Sequence, residues 1–178
     1  MELSPLTIQV QGLSLGALEL LIQTLLAREG FGETELLNRW KSTQKSKKGG
    51  FELMCTRGFG PIQETFLVKV IQDDIRVRQI VEMAGNVDRM NATHGIVVTT
   101  TRACRTTLQE LPKITKSPVF IMEPNDLTTL MIQHKVGVRA WGEPNFAFFS
   151  FLEERAKELE ACYATKKPSN KPSSKSRD

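Results

Sequence analysis

The sequence is poor in cysteine and has no long apolar run. Its three cysteines, Cys55, Cys104 and Cys162, are widely spaced and form no CxxC pair, which argues against a zinc site or a disulfide framework. No apolar stretch approaches the roughly 18 residues of a membrane-spanning helix, and the amino terminus lacks the pattern of a signal peptide. We therefore expect a protein of the reducing cytoplasm that is not inserted in a membrane.

Familiar signatures of nucleotide binding and hydrolysis are missing as well. The sequence contains no Walker A motif, no GxGxxG fingerprint and no Ser-His-Asp arrangement. Its two histidines, His94 and His134, are far apart and lack metal-ligand spacing, so we interpret them as structural or surface residues.

The formal net charge of +4 is concentrated at the carboxyl end. Residues 164–178 contain five lysines and arginines and one aspartate, so positions 1–163 are formally neutral, with 19 basic and 19 acidic residues. Because these last residues are rich in Lys, Pro and Ser and have almost nothing apolar to bury, we predict a disordered tail. A solvated, solubilising end is favoured over a binding arm.

A second basic cluster lies between Arg39 and Arg57, where only Glu52 opposes it. The loop over 41–50 has no hydrophobic periodicity. Because this cluster adjoins a predicted strand, it is the better candidate for contact with nucleic-acid phosphates. The candidate nucleic-acid-binding residues are Lys41, Lys45, Lys47 and Lys48.

The apolar pattern predicts an α/β fold with a mixed central β-sheet flanked by helices. Ser14 is a candidate cap for the first helix. The remaining predicted elements are strands over 34–40, 51–56, 65–71, 95–100 and 119–122, and helices over 75–91, 102–111 and from about 125 onward.

A further amphipathic helix is predicted over 146–162, within a carboxy-terminal helical extension that we place at 137–163. Its phenylalanines favour a role in the core. A homodimer contact through this helix is the alternative.

The predicted hairpin brings a carboxylate and a lysine together. If its turn is centred on Gly60 and Pro61, Glu52 lies directly across from Lys69, and Leu67 shares their face of the sheet. A carboxylate that holds Mg²⁺ beside a lysine is one half of a metal-dependent phosphodiesterase site. The alternative is a plain cross-strand ion pair, worth about 0.2 to 1 kcal/mol, and spacing alone favours it.

Five segments over roughly 13–136 form a joint pattern: Leu18-Glu19-Leu20-Leu21, Gly49-Gly50-Phe51-Glu52-Leu53-Met54, Leu67-Val68-Lys69, His94-Gly95-Ile96-Val97-Val98-Thr99-Thr100 and Phe120-Ile121-Met122. This pattern resembles the Mrr-like branch of the restriction-endonuclease superfamily, and we place the domain over roughly 13–136. The resemblance implies a restriction-endonuclease-like fold and DNA as the molecule on which the protein acts. It also implies Glu52 and Lys69 as catalytic residues, Glu52 as a ligand of Mg²⁺, and Glu19 of the first helix as a further active-site carboxylate.

The sequence departs from the family at two positions. Glu52 stands where the family has aspartate, and Leu67 stands where it has Glu or Gln, although an alkyl side chain cannot ligate a metal. Three hypotheses follow: a Mg²⁺-dependent endodeoxyribonuclease, a catalytically inactive pseudo-nuclease that still binds nucleic acid, and a protein-interaction module that uses the carboxy-terminal helix.

Overall fold

The computed structural model describes residues 3–40, 49–101, 103 and 118–165. Its helices are α1 (Pro5–Gln11), α2 (Leu15–Arg28), α3 (Val77–Arg89), α4 (Pro124–Gln133) and α5 (Phe146–Thr165). Its strands are β1 (Thr34–Trp40), β2 (Gly50–Phe59), β3 (Ile62–Ile71), β4 (His94–Thr99) and β5 (Val119–Met122). A short 3-10 turn spans Ala140–Gly142.

The five strands form one mixed sheet in the order β1-β2-β3-β4-β5. The first three strands are antiparallel and the last three are parallel. Gly60, at φ +60°, allows the tight turn between β2 and β3, whereas the parallel pair β3–β4 needs the crossover that α3 supplies. The predicted mixed sheet with flanking helices is confirmed.

Each face of the sheet covers a separate apolar core, because successive strand residues point to opposite faces. The first face packs against α1, α2, α4 and α5, and its strand residues include Phe51, Leu53 and Val68. The second face packs against α3, and its strand residues include Leu67 and Val97. A polar residue is therefore placed by its strand parity on the α2 side or on the α3 side.

Some elements differ from the prediction. Helix α1 has no counterpart in it, although Ser4 caps this helix by accepting a hydrogen bond from the Thr7 N–H and Pro5 occupies its first turn. Both hairpin strands are longer than predicted and approach the turn directly. The predicted helix over 102–111 lies outside the described residues except for Ala103. Every helix among the described residues is too short or too polar to span a lipid bilayer.

The predicted carboxy-terminal helix is present as α5 and packs against α2. Phe149, Leu152 and Ala156 are buried in this contact, which confirms a core role for that side of the helix. Phe146 and Phe151 remain more than half exposed. The homodimer through α5 stays a prediction, and these two residues are the ones that it would use. Beyond Thr165, the predicted tail lies outside the described residues.

Candidate active site

The β2–β3 hairpin places Glu52 directly across from Lys69, as predicted. The Lys69 Nζ atom lies 3.1 Å from Glu52 Oε1, and both side chains are largely shielded from solvent. The register holds over the whole hairpin, from Gly50 opposite Ile71 to Phe59 opposite Ile62. A tight turn of fixed length determines this pairing, which is why the sequence is sufficient to predict it.

Glu82 of α3 is a third charged residue of the site. The Lys69 Nζ atom donates a hydrogen bond to Glu82 Oε1 at 2.8 Å, so one ammonium group is held between two carboxylates. The sequence prediction missed Glu82. Its signal was the β3–α3–β4 crossover, which places α3 over the face of the sheet that Lys69 shares.

Trp40 forms one wall of the site. Its ring lies 5.3 Å from Lys69 Nζ, a cation–π contact, and it packs closely over Gly50. A Cβ atom at Gly50 would collide with the Trp40 ring and lie only 2.5 Å from the Val70 carbonyl oxygen, so only glycine fits there. The resulting cavity, of about 320 Å³, is lined by Asn38, Trp40, Glu52, Lys69, Gln79 and Glu82.

Leu67 lies on the same face as Lys69 but belongs to the core. Its side chain is 1% exposed and packs in the apolar cluster under α3. The position at which the resemblance implies a second oxygen ligand therefore presents only buried methyl groups.

The donor set does not fit a magnesium ion. Mg²⁺ requires octahedral oxygen ligation, whereas the two carboxylates here, Glu52 and Glu82, are both engaged by the Lys69 ammonium group. Within the described ranges, no group of three or more His, Cys, Asp or Glu side chains is arranged to hold a metal ion. The predicted role of Glu52 as a magnesium ligand therefore has no supporting geometry.

The structure does not bring Glu19 and Glu52 together. Glu19 is completely buried on the α2 side of the sheet, whereas Glu52 faces α3. There it accepts a hydrogen bond from the Tyr163 hydroxyl at 2.7 Å, and its Oε2 lies 3.6 Å from Arg39 Nε. Strand parity explains the separation, because Arg39 of β1 pairs with Phe51 while Asn38 pairs with Glu52, so the two neighbours point to opposite faces.

The buried cluster around Glu19 joins α5 to α2 and β1. Burial raises the pKa of the Glu19 carboxyl, while the Tyr163 hydrogen bond and the Arg39 charge oppose this effect. Burial, together with the nearby Glu19, raises the pKa of Tyr163 to about 12. Arg39 also donates a hydrogen bond to Glu160 at 3.0 Å. These contacts link Glu19 of α2 to Arg39 of β1 and to Tyr163 of α5.

The histidines occupy structural positions, as the sequence indicates. His134 Nε2 lies 2.5 Å from Glu29 Oε1, which links the ends of α4 and α2. The His94 ring is stacked on Phe66, with centroids 4.8 Å apart. Both residues are on the α2 side of the sheet, away from Lys69.

The predicted phosphate-binding lysines, Lys41, Lys45, Lys47 and Lys48, lie outside the described residues. The chain on each side of them is described. Their segment is connected at one end to Trp40 and at the other to Gly49, which leads into Gly50 beneath the Trp40 ring. The described residues that flank the lysines in the chain, Trp40 and Gly50, therefore lie beside the Glu52–Lys69 site.

Comparison with known proteins identifies the family. The chain matches the family model Mrr_cat, described as restriction endonuclease, over residues 10–131. Comparison with curated proteins gives no match. Among solved structures, the DNA modification-dependent restriction endonuclease AspBHI aligns with a TM-score of 0.54 and 13% identity, over 91% of this chain and 41% of that chain.

A second similar structure is the MspJI restriction endonuclease in complex with a 27-mer oligonucleotide, with a TM-score of 0.46 and 16% identity, over 82% of this chain and 35% of that chain. The chain thus spans less than half the length of either enzyme. The AspBHI alignment confirms the restriction-endonuclease-like fold. Because the family model matches more than half of the chain, the chain belongs to the Mrr_cat family of restriction endonucleases.

Proposed function

We propose that the chain binds DNA on its Mrr-type scaffold and does not hydrolyse it by a metal-dependent mechanism. One observation carries the second part: Lys69 is held between Glu52 and Glu82 while Leu67 is sealed in the core. A metal-dependent phosphodiesterase needs an ion that activates water and neutralises charge on the scissile phosphate. The described residues offer no oxygen set that would retain that ion.

Support for DNA binding comes from the family and from the lysine segment. The family is one of restriction endonucleases, and the similar protein AspBHI is a DNA modification-dependent enzyme. Residues 41–48 contain four lysines and no acidic residue. In the chain this segment directly follows Trp40, which lines the cavity with Glu52 and Lys69.

The metal-dependent nuclease is the second candidate. The observation that favours it is the retained pair, because Glu52 and Lys69 occupy facing positions on the two strands where the family resemblance implies catalytic residues. This candidate requires Lys69 to leave Glu82 and a second oxygen ligand to come from outside the described residues.

The deciding experiment measures cleavage and binding on the same preparations. Supercoiled plasmid is incubated with Mg²⁺ or Mn²⁺ and the full chain, and the affinity for a fluorescent duplex is measured by anisotropy in parallel. We expect binding without cutting. Cutting by the wild type that Glu52→Ala and Lys69→Ala both abolish would establish the nuclease and refute the proposal of an inactive site.

The lysine segment is tested with a triple substitution of Lys45, Lys47 and Lys48 by alanine. We expect weaker binding to every duplex sequence and a log-log salt dependence shallower by about 0.9 for each phosphate that the variant no longer neutralises. Lys157→Ala on the exposed side of α5 is the matched control and should leave affinity unchanged. If the affinity for the duplex did not fall as the salt concentration rises, phosphate contacts would not drive the binding. An apolar binding surface would then be indicated, as for a protein-interaction module.

A further inference from the structure

The loop between α4 and α5 is closed by backbone hydrogen bonds. Val138 and Pro144 form a β-bridge, the Arg139 N–H donates to the Glu143 carbonyl oxygen at 2.8 Å, and the Asn145 N–H donates to the Gly137 carbonyl oxygen at 2.9 Å. We call residues 138–144 the Trp141 loop, because Trp141 lies at its tip within the 3-10 turn. These bonds pair the two ends of the loop with each other.

Trp141 is unusual in both exposure and backbone geometry. Its side chain is 98% exposed, and its φ angle is +70°. A bulky residue in the left-handed region is strained, because its Cβ crowds the backbone, and glycine would adopt this conformation more easily. Burial contributes nothing to offset the strain, so the stability of the domain does not explain a tryptophan here. Such an outlier points to a role in binding.

The surroundings of Trp141 are basic. A surface cavity of about 530 Å³ beside the ring is lined by Ile132, Lys135, Val138, Arg139, Ala140, Trp141 and Gly142, with two cations and no carboxylate among these residues. Glu143 follows in the chain and is exposed, but its side chain does not line the cavity. An exposed aromatic face beside arginine and lysine matches the chemistry of nucleic-acid strands, in which bases stack and phosphates pair with cations.

We infer that the Trp141 loop binds an unpaired nucleotide of a nucleic-acid strand, with a base stacked on Trp141 and the flanking phosphates at Lys135 and Arg139. This inference rests on the proposed DNA binding and adds a second DNA contact to that of the lysine segment. The loop lies beyond residues 10–131, the part of the chain that matches the family. Within a paired duplex the base faces are covered by their neighbours, so the loop distinguishes single-stranded or frayed DNA from closed duplex.

The test compares wild type with Trp141→Ala, Trp141→Phe and Trp141→Gly, using a labelled single-stranded dT oligonucleotide and a closed duplex of the same length. We expect Trp141→Ala to weaken single-strand binding roughly five- to hundredfold, the range for loss of one base–aromatic stack, and to change duplex binding little. Trp141→Phe should retain most of the affinity. Quenching of tryptophan emission by the oligonucleotide should be weaker in Trp141→Phe than in the wild type, because only the contribution of Trp40, which adjoins the lysine segment, remains.

Trp141→Gly separates binding from folding. Because glycine relieves the positive φ angle and the indole is exposed, the melting temperature should stay the same or rise while single-strand affinity falls. Unchanged single-strand affinity in Trp141→Ala, with weaker binding in the triple-lysine variant, would overturn this inference and leave the proposed function standing. Failure of the wild type to bind either DNA would overturn the proposed function itself.

Two other outcomes would also overturn the inference. The first is a blue shift of Trp141 emission on vesicles of phosphatidylcholine and phosphatidylserine without any response to the oligonucleotide, which would assign the loop to a lipid surface. The second is self-association of the wild type that Trp141→Ala abolishes, which would assign the loop to a second copy of the chain.

Discussion

Replacing Lys69 by methionine tests whether this lysine stabilises the fold through its two carboxylates. The Lys69 side chain is 7% exposed, and its Nζ atom lies 3.1 Å from Glu52 and 2.8 Å from Glu82. At an effective dielectric constant of about 20, each pair has a gross attraction of about 5 to 6 kcal/mol. Desolvation of the lysine offsets much of this attraction, so the net contribution of Lys69, Glu52 and Glu82 to the free energy of unfolding is far smaller.

The expected loss follows from the carboxylates that remain after the substitution. Glu82 is 50% exposed and can turn to solvent, so its pair is worth about 1 kcal/mol at most. Glu52 is only 14% exposed and would keep a charge without a cation, at a cost that approaches about 3 kcal/mol, as for a broken buried pair. We therefore expect Lys69→Met to lower the free energy of unfolding by about 2 to 4 kcal/mol, or the melting temperature by roughly 5 to 15 °C.

The assay is urea unfolding followed by circular dichroism, with thermal melts alongside. Adding Glu52→Gln to Lys69→Met should restore part of the lost stability, because it removes the unpaired charge. Lys157→Met, on the exposed surface of α5, is the matched control and should change stability by less than about 0.5 kcal/mol. A Lys69→Met protein as stable as the wild type would refute the reasoning, since the two ion pairs would then contribute nothing to the stability of the fold.

Three further predictions concern the hairpin, the buried carboxylate and the thiols. Gly50→Ala should destabilise by about 1 to 3 kcal/mol in urea unfolding because its Cβ would collide with an indole and a carbonyl oxygen, whereas Gly85→Ala, in open space on α3, should stabilise by about 0.5 to 1 kcal/mol. A Gly50→Ala protein of wild-type stability would contradict the packing described. Since burial raises the pKa of Glu19 above its usual 4.5, the native state keeps this proton to higher pH than the unfolded state does. The resulting contribution to the stability of the wild type is complete below pH 4.5 and is lost as the pH rises through the native pKa. The free energy of unfolding of Glu19→Gln should therefore increase relative to that of the wild type from pH 4 to pH 7. A difference that stays constant with pH would argue against a raised pKa. Burial raises the pKa of the Cys55 thiol to about 11, so iodoacetamide at pH 8 should label the exposed Cys162 in the native protein and Cys55 only after denaturation, as read by peptide mass spectrometry.

Local signals in the amino-acid sequence are enough to predict several elements of this fold. Alternation and a two-residue turn give the register of β2 with β3, so the amino-acid order alone is enough to place Glu52 opposite Lys69. Ser14 caps α2 by accepting a hydrogen bond from the Ala17 N–H, and buried strands separated by a crossover-length helix predict the parallel part of the sheet.

Which side chains share a face of the sheet depends on how the helices pack, and local signals do not reveal it. Glu19 is a carboxylate on the helix where the family resemblance implies a further active-site carboxylate. However, α2 packs on one face of the sheet and Glu52 lies on the opposite face. Glu82 looks like an ordinary exposed helix residue until α3 packs over Lys69, and α4, predicted from about residue 125 onward, begins at Pro124 with Glu123 as its cap residue. These outcomes depend on partners that are remote in sequence or on how a helix enters from its neighbour, and hydrophobic periodicity specifies neither. Local hydrogen bonding and alternation therefore predict the pairings within a hairpin, whereas packing of helices onto the two faces determines the chemistry of the site.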